Sequence, residues 1–355
     1  MKHSLRIAVL IIIAALGLLF LQRQPRQIDI PREETWTVMG TVASLKTPGT
    51  ARPHFPEMLA LAKDIFDEVN THLSVYVPTS ELSRLNQNGI LKPATELTRE
   101  FLQITTQMTT RSQNFFDTSL LPVIQLWGFS GGKTPVHIPT DQQINQALQR
   151  TTIHELLIDE SGAYFPQTPG HIDPGGIAKG FALDRAFIKL RETFPDADFL
   201  LNLGGEMRVQ GHAAPHRGWR IAVQHPFEQG ATIGVVNVPS GFAIATSGHY
   251  ERYVELAGTR YAHIIDPATG WPVQGMAGVT VLCPNATEAD VLSTALFVAG
   301  ITQAQMLLRS FPDSHALLIP DREPLQIYLS SRMADWFEPT PQYRNSILLL
   351  SDIEM

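Results

Sequence analysis

One cysteine, Cys283, stands in 355 residues. A single thiol excludes an internal disulfide and every Cys-x-x-Cys metal or redox pattern, so oxygen or imidazole must hold any metal. Charge is also sparse, at 17% of the chain, and 27 Lys and Arg against 34 Asp and Glu leave a net charge of −7. With no basic cluster, the sequence lacks the electrostatic footprint of a nucleic-acid surface. Internal repeats and Pro-rich low-complexity segments are absent too. The spacing G-x-x-x-x-G-K-[ST] does not occur, which excludes the standard nucleotide-triphosphate loop. What remains is 44% apolar, the composition of a folded globular protein, in a length that suits one large domain or two.

The one long hydrophobic run lies at the start. Lys2, His3 and Arg6 precede uninterrupted apolar residues 7–21, the pattern of an export signal or an N-terminal membrane anchor. Fifteen residues are short for a spanning helix and normal for a signal core. No small-x-small cleavage site follows, and no cysteine ends the run, which excludes a lipid-modified N-terminus. The expectation is an uncleaved anchor over 1–21, a polar tether over 22–32 containing Pro25 and Pro31, one domain over 33–340, and a C-terminal tail over 341–355. The domain is expected outside the cytoplasmic membrane, although basic residues on both sides of the run leave the charge rule for orientation weak.

Alternation of Trp36, Val38, Val42 and Leu45 predicts a first strand over 35–45, broken at Met39-Gly40-Thr41. Leu61, Ile65, Phe66, Val69 and Leu73 recur at helical spacing and predict a helix over 55–73. Ser80 is placed to cap a short helix, and further helices are expected over 97–112 and 141–148. Gly131, Gly132 and Pro135 mark a loop. Beyond residue 184 the pattern turns β-rich, with short strands over 199–203, 207–210, 219–224, 233–238, 242–245 and 278–283. Helices over 287–298 and 302–310 follow, then a strand over 315–319 that closes a sheet. Residues 347–350 read as a last edge strand or a loose tail. Such irregular alternation predicts an α+β or mixed α/β fold rather than a doubly wound parallel sheet.

The stretch 172–184, Ile-Asp-Pro-Gly-Gly-Ile-Ala-Lys-Gly-Phe-Ala-Leu-Asp, is the chain's best candidate for chemistry. Asp173, two glycines and Lys179 precede a helical pattern. Glycines permit close backbone approach, amides at a helix start favour an anion, and Lys179 adds a full charge, so the stretch suits a phosphate. A tight turn begun by Asp-Pro is the alternative.

Three further clusters carry similar pairs of readings. Asn202-Leu-Gly-Gly-Glu206 is a hairpin turn or a ligand-facing loop. Thr246-Ser-Gly, with Tyr250 and Arg252 after it, precedes Tyr261-Ala-His263-Ile-Ile-Asp266-Pro-Ala-Thr269-Gly270. Asp-Pro-x-Thr-Gly is a turn that needs no catalytic explanation, whereas His263 is either a general base or a structural histidine. Asp290 and Thr294, four apart on a helix, project from one face and suit part of a Mg²⁺ site. Thr287 and Asp290 equally fit a capping pair.

Taken in order, Met39-Gly-Thr41, Ser74-Val-Tyr76, the run ending at Asn86, Phe116-Asp117, Leu126-Trp-Gly128, Asp173-Pro-Gly-Gly-Ile-Ala-Lys179-Gly, Asn202-Leu-Gly-Gly, Thr246-Ser-Gly, His263-Ile-Ile-Asp-Pro-x-Thr-Gly270 and Ala289-Asp290 with Thr294 resemble the ApbE family of FAD:protein FMN transferases. The resemblance spans about residues 35 to 300. It implies an α+β fold of two closely associated α/β lobes that splits FAD, passes FMN to a Ser or Thr hydroxyl, and releases AMP. It also implies Mg²⁺ held by Asp290, Thr294 and the Gly176 carbonyl. An FAD site would be lined by Met39, Tyr76, Phe115, Phe116, Asp117, Asp173, Lys179 and Ile264, with His263 acting on the acceptor. Ser293 stands where some members carry a second metal-binding carboxylate. The implied partner is an exported redox protein, an acceptor subunit of the Na⁺-pumping NADH:quinone reductase (Nqr) or Rnf type, or a nitrous-oxide reductase maturation protein. These residues suit a transferase and a Mg²⁺-dependent FAD pyrophosphatase equally. A flavin carrier needs no metal pair.

Overall fold

Met39 and Gly40 both take left-handed backbone, with φ of 51° and 70°, and fold the chain back between β1 (Arg32–Val38) and β2 (Thr41–Thr47). The expected single interrupted strand is therefore a hairpin. A two-residue loop with positive φ at both positions matches the twist of the paired strands. Asn-Gly would advertise that turn, and Met-Gly does not. A computed structural model describes residues 31–48, 54–130, 137–151, 153–166, 170–213, 218–249, 253–256 and 258–352. The expected anchor, the tether up to residue 30, the loop at 131–135, Tyr250 and Arg252 lie outside the described residues.

From β2 the main sheet runs through β3 (Phe199–Leu203), β4 (Glu206–Gln210), β5 (Ala243–Gly248), β6 (Met276–Cys283), β7 (His315–Pro320), β8 (Ile327–Leu329) and β9 (Ile347–Leu349). The nine strands lie in the order in which the chain makes them. Every neighbouring pair is antiparallel except β8 and β9.

Two expectations change here. Strand β7 does not close the sheet, since β8 and β9 lie beyond it. Nor do residues 341–352 form a tail, because the fold continues through β9 to Leu350. Tyr343, Ile347 and Leu349 pack on one core. Leu350 is buried in another, and its carbonyl accepts Gln305 Nε2 at 2.7 Å. The apolar run is thus the last seam of the sheet.

Both faces of the sheet are covered, as period-two alternation shows. Leu201, Leu203, Ala245, Val279, Val281 and Leu318 enter a core shared with the helices. Leu200, Ile244, Leu282, Leu317 and Ile319 point the other way, onto a three-stranded sheet of Phe337–Pro339, Thr232–Val238 and Trp219–Gln224. The helices are α1 (Phe55–Leu73), α2 (Glu81–Asn88), α3 (Glu96–Arg111), α4 (Leu121–Leu126), α5 (Asp141–Leu148), α6 (Ala178–Thr193) and α7 (Ala286–Arg309).

Local chemistry starts several of these helices. Ser80 Oγ accepts the Ser83 amide at 3.0 Å ahead of α2, Thr95 caps α3, and a Thr140–Gln143 capping box opens α5. The two helices expected over 287–310 join as α7 across Gly300, whose φ of 64° and ψ of −175° break the helical path. By length and composition α7 is apolar enough to cross a membrane, yet Ala289, Leu292, Leu296 and Phe297 are buried in the core. A third core joins α4 and α5 to the hairpin of Tyr253–Leu256 and Thr259–Ala262.

Candidate active site

Helices α6 and α7 begin side by side and cap each other. Ile177, preceding α6, has no side chain with which to cap it. Asp290 of α7 does so instead, accepting the Gly180 amide at 3.0 Å. In return, Asp184 of α6 accepts the amides of Ala286 and Thr287 at 2.8 and 2.9 Å and the Thr287 hydroxyl at 2.6 Å. Only glycine allows this approach, since a Cβ on residue 180 would lie 2.3 Å from the Ala286 carbonyl oxygen. Arg208 of β4 pairs with Asp184 and donates to the Pro284 carbonyl at 3.0 Å. The capping-pair reading of Thr287 and Asp290 is corrected by this arrangement. Asn285 caps α7, accepting the Glu288 amide at 2.8 Å, while Asp290 serves another helix.

A cleft of about 1000 Å³ opens where the three cores meet. Met39, Tyr76, Phe115, Phe116, Asp117, Asp173, Gly176, Lys179, His263, Ile264, Asp290 and Thr294 all line it. The twelve site residues that the resemblance implies therefore all reach the same cavity. Met39 arrives there through its strained left-handed turn, a backbone feature that clusters at functional sites. Tyr76 stands 68% exposed at the rim, whereas Phe116 is buried.

Residues 170–174, directly ahead of the paired glycines, form no strand. Asn86 holds the segment extended through a double hydrogen bond with Ile172, 2.8 Å in each direction. Asp173 Oδ1 then accepts the Gly175 amide at 3.0 Å, and the Pro174 carbonyl accepts Ala178 N at 2.9 Å. The turn and the helix start thus coexist in one stretch. Asp117 is part cap, its Oδ1 accepting the Ser119 amide and hydroxyl at 2.7 Å each.

The Gly204-Gly205 pair forms the β3–β4 hairpin turn, as one reading held, with φ of 69° and 105°. The turn also delivers Glu206 to the cleft, where it forms an ion pair with Lys179. Burial pushes the Glu206 carboxyl up to about 8, against the pull of Lys179 and with a further push from Asp290. Burial likewise raises Asp290, opposed by Lys179 and the Gly180 amide. Glu206 Oε2 is buried without a hydrogen-bond partner. One lysine thus serves two buried carboxyls that burial holds toward the protonated form, protons that a bound cation would displace.

The donors present fit a hard cation. Among the described residues no group of three or more His, Cys, Asp or Glu forms a metal cluster, so the available set is mixed. Asp290 Oδ2 is engaged by Gly180, which leaves one carboxylate oxygen for a ligand. Thr294 Oγ1 lies 3.6 Å from where a Cβ on Gly176 would stand, which places the glycine and the hydroxyl side by side. A carboxylate, a hydroxyl and a carbonyl are oxygen ligands of the kind Mg²⁺ takes, with water or phosphate completing its shell. Behind them, Ser247 Oγ lies 2.9 Å from Ser293 Oγ and 3.4 Å from Thr294 Oγ1, and Ser293 Oγ donates to the Asp290 carbonyl at 2.9 Å. Ser293 is thus committed to a hydroxyl network.

His263 directly follows strand Thr259–Ala262, its ring edge-on to Phe129 with centroids 6.5 Å apart. The turn after it is structural. Asp266 Oδ1 accepts the Ala268 amide at 2.9 Å and Oδ2 the Thr269 hydroxyl at 3.0 Å.

The model of the ApbE family matches residues 39–319, a span that contains this whole cleft. The chain belongs to the ApbE family. It is 30% identical to the FAD:protein FMN transferase of Haemophilus influenzae over 93% of each chain. It is also 30% identical to the Salmonella typhimurium protein of that name over 88% of each. The structure of the flavin transferase ApbE from Vibrio cholerae superposes with a TM-score of 0.77 at 26% identity, over 87% of this chain and 99% of that one. The α+β architecture is accordingly that of ApbE flavin transferases.

Two residues that line this ApbE-family cleft, Glu206 and Ser247, and one at the α6–α7 contact beside it, Asp184, had no role in the sequence reading. The first two sit inside clusters that the sequence marks by their glycines. Asp184 closes the 172–184 stretch, but a lone Asp in a helical pattern reads as solvated surface until its partner helix is in place.

Proposed function

We propose that this chain transfers FMN from FAD to a Ser or Thr hydroxyl of a protein acceptor, with release of AMP and dependence on Mg²⁺. The observation that carries the reading is the convergence of Asp290, Thr294, Gly176 and Lys179 in one cleft at the upper size limit of small-molecule sites. A dinucleotide is a ligand of that size.

In this reaction the acceptor oxygen forms a bond to the phosphorus of the FMN half. The bond from that phosphorus to the oxygen bridging to AMP breaks, and AMP departs with that oxygen. His263 takes the hydroxyl proton as general base. Lys179 faces the pyrophosphate at the start of α6, where the amides of Gly175, Ala178 and Gly180 are already taken by Asp173, the Pro174 carbonyl and Asp290. Met39, Tyr76, Phe115, Phe116 and Ile264 offer apolar and aromatic surface to the ring systems of FAD, and Asp117 a polar contact. Asp290, Thr294 and the Gly176 carbonyl would hold Mg²⁺, which neutralises charge building at the pyrophosphate oxygens.

The acceptor we propose is an exported subunit of a redox complex, of the Nqr or Rnf type, or a nitrous-oxide reductase maturation protein. The enzyme would work on the periplasmic side of the inner membrane, held by residues 1–21. The apolar run over 7–21, preceded by Lys2, His3 and Arg6, supports attachment to a membrane.

Incubation of the protein with FAD, Mg²⁺ and such an acceptor domain, followed by intact-mass spectrometry, tests the proposal. A gain of one FMN less water on the acceptor, with AMP released in equal amount, is expected. Free FMN and AMP with an unlabelled acceptor would make the enzyme a pyrophosphatase instead. Bound but uncleaved FAD would leave a carrier.

A further inference from the structure

Strand Trp219–Gln224 is the outer member of its three-stranded sheet. It pairs with Thr232–Val238 and, among the described residues, with no strand on its other side. The register decides which of its backbone groups face out. Asn237 N donates to the Trp336 carbonyl, and the Ile233 carbonyl accepts Thr340 N, so those residues point toward strand Phe337–Pro339. Val236 and Val238 therefore point toward Ile221 and Trp219, their register partners. Arg220 and Ala222 are left with N–H and C=O directed away from the sheet.

This edge is part of the cleft wall. Residues 221, 222, 223 and 224 all line the cavity. A strand presenting one face would contribute only alternate residues, so the edge itself is turned to the cleft.

The usual protections of a free edge are thin here. Ala222 is small and exposed, the strand contains neither Lys nor Pro, and Arg220 reaches back across the sheet to Glu338 at 3.1 Å. The edge and the oxygen donors border one cavity, since Ile221, Val223, Ile244, Thr246, Asp290 and Thr294 all line it.

We propose that the acceptor protein enters as an extended segment that adds to this edge as a further strand, its reactive hydroxyl on the face shared by Ile221 and Val223. The inference rests on the transferase reading and specifies how its second substrate is held. Main-chain hydrogen bonds to Ala222 supply affinity independent of acceptor sequence, and alternate acceptor side chains face the cavity or the solvent.

The test measures transfer to an acceptor domain already labelled by the unsubstituted full-length enzyme. If that enzyme labels nothing, the functional reading fails and not the docking mode. Ala222→Pro removes the outward amide and blocks the edge. It should raise KM for the acceptor about tenfold or more, the value of one or two hydrogen bonds, with Kd for FAD changed less than about twofold. Ala222→Thr keeps the amide and should raise KM several-fold less than Ala222→Pro does. An unchanged KM in Ala222→Pro, or an equal rise in Ala222→Thr, overturns the proposal. A second measurement leaves the enzyme untouched: an acceptor peptide is scanned with backbone N-methyl groups. Loss of transfer at every second position is expected, and uniform loss or none refutes strand addition.

Discussion

Removing the Asp184 carboxylate tests whether the mutual capping of α6 and α7 holds the site together. Asp184→Ala deletes the acceptor for two amides and one hydroxyl at the start of α7, a cap worth about 1 kcal/mol. It also strands Arg208, which is buried and among the described residues keeps the Pro284 carbonyl and the Phe187 ring, 3.9 Å from its guanidinium carbon. Breaking a buried pair by removing one partner costs about 3–5 kcal/mol. A combined loss of roughly 4 kcal/mol is a large share of the 5–15 kcal/mol typical of a folded domain. With a urea m-value of about 3 kcal/mol/M, the midpoint should fall by about 1 M or more. Arg208→Met in the same background should return part of that loss, because it removes the orphaned charge. A cost below about 1 kcal/mol, or no recovery in the double variant, would refute the account of Asp184 as the anchor of α7.

Three other perturbations address the cleft itself. Glu206 titrates near 8 when folded and near the usual carboxylate value of about 4.3 when unfolded, so between those values the folded state alone holds the proton. Stability of the metal-free protein should then fall as pH rises through that window, by at most about 1.4 kcal/mol per unit. Glu206→Gln should flatten the profile of urea midpoints from pH 5 to 8, and parallel profiles would show that Glu206 is not the group responsible. Asp290→Ala should abolish Mg²⁺-dependent turnover while costing about 1–2 kcal/mol for the lost Gly180 cap; full activity would return Asp290 to helix capping alone. Lys179→Ala should weaken FAD binding about tenfold in a fluorescence titration, and an unaltered Kd would sink the phosphate argument.

Periodicity made these helices legible in the sequence, because α1, α3 and α5 each bury one stripe, and Thr95 and Thr140 cap the latter two. The hairpin at Met39-Gly40 was not legible, since its turn depends on a methionine in left-handed backbone. The last strand was ambiguous for a different reason: a three-residue apolar run shows its pairing only when β8 is present to receive it. At the site, glycines marked some of the right segments, and the residues that the family resemblance implied all line the cleft. The electrostatics were hidden. Lys179 meets Glu206 from an element 27 residues away, and Asp290 finds Gly180 across 110 residues. No local pattern encodes such pairings.

The strictly sequential order of the main sheet has an exception in time rather than in space. The β1–β2 hairpin ends at Thr47, and the strand that β2 pairs with next begins at Phe199. A lone two-stranded hairpin is marginal in water. During synthesis from the N-terminus, the first seam of the sheet must therefore wait for about 150 further residues before it is sealed, whereas β3 and β4 pair almost as soon as they emerge. A chain halted anywhere in that interval carries an open edge of polypeptide hydrogen-bonding groups, so the interval from 48 to 198 is where a stalled or truncated copy is most exposed to wrong partners.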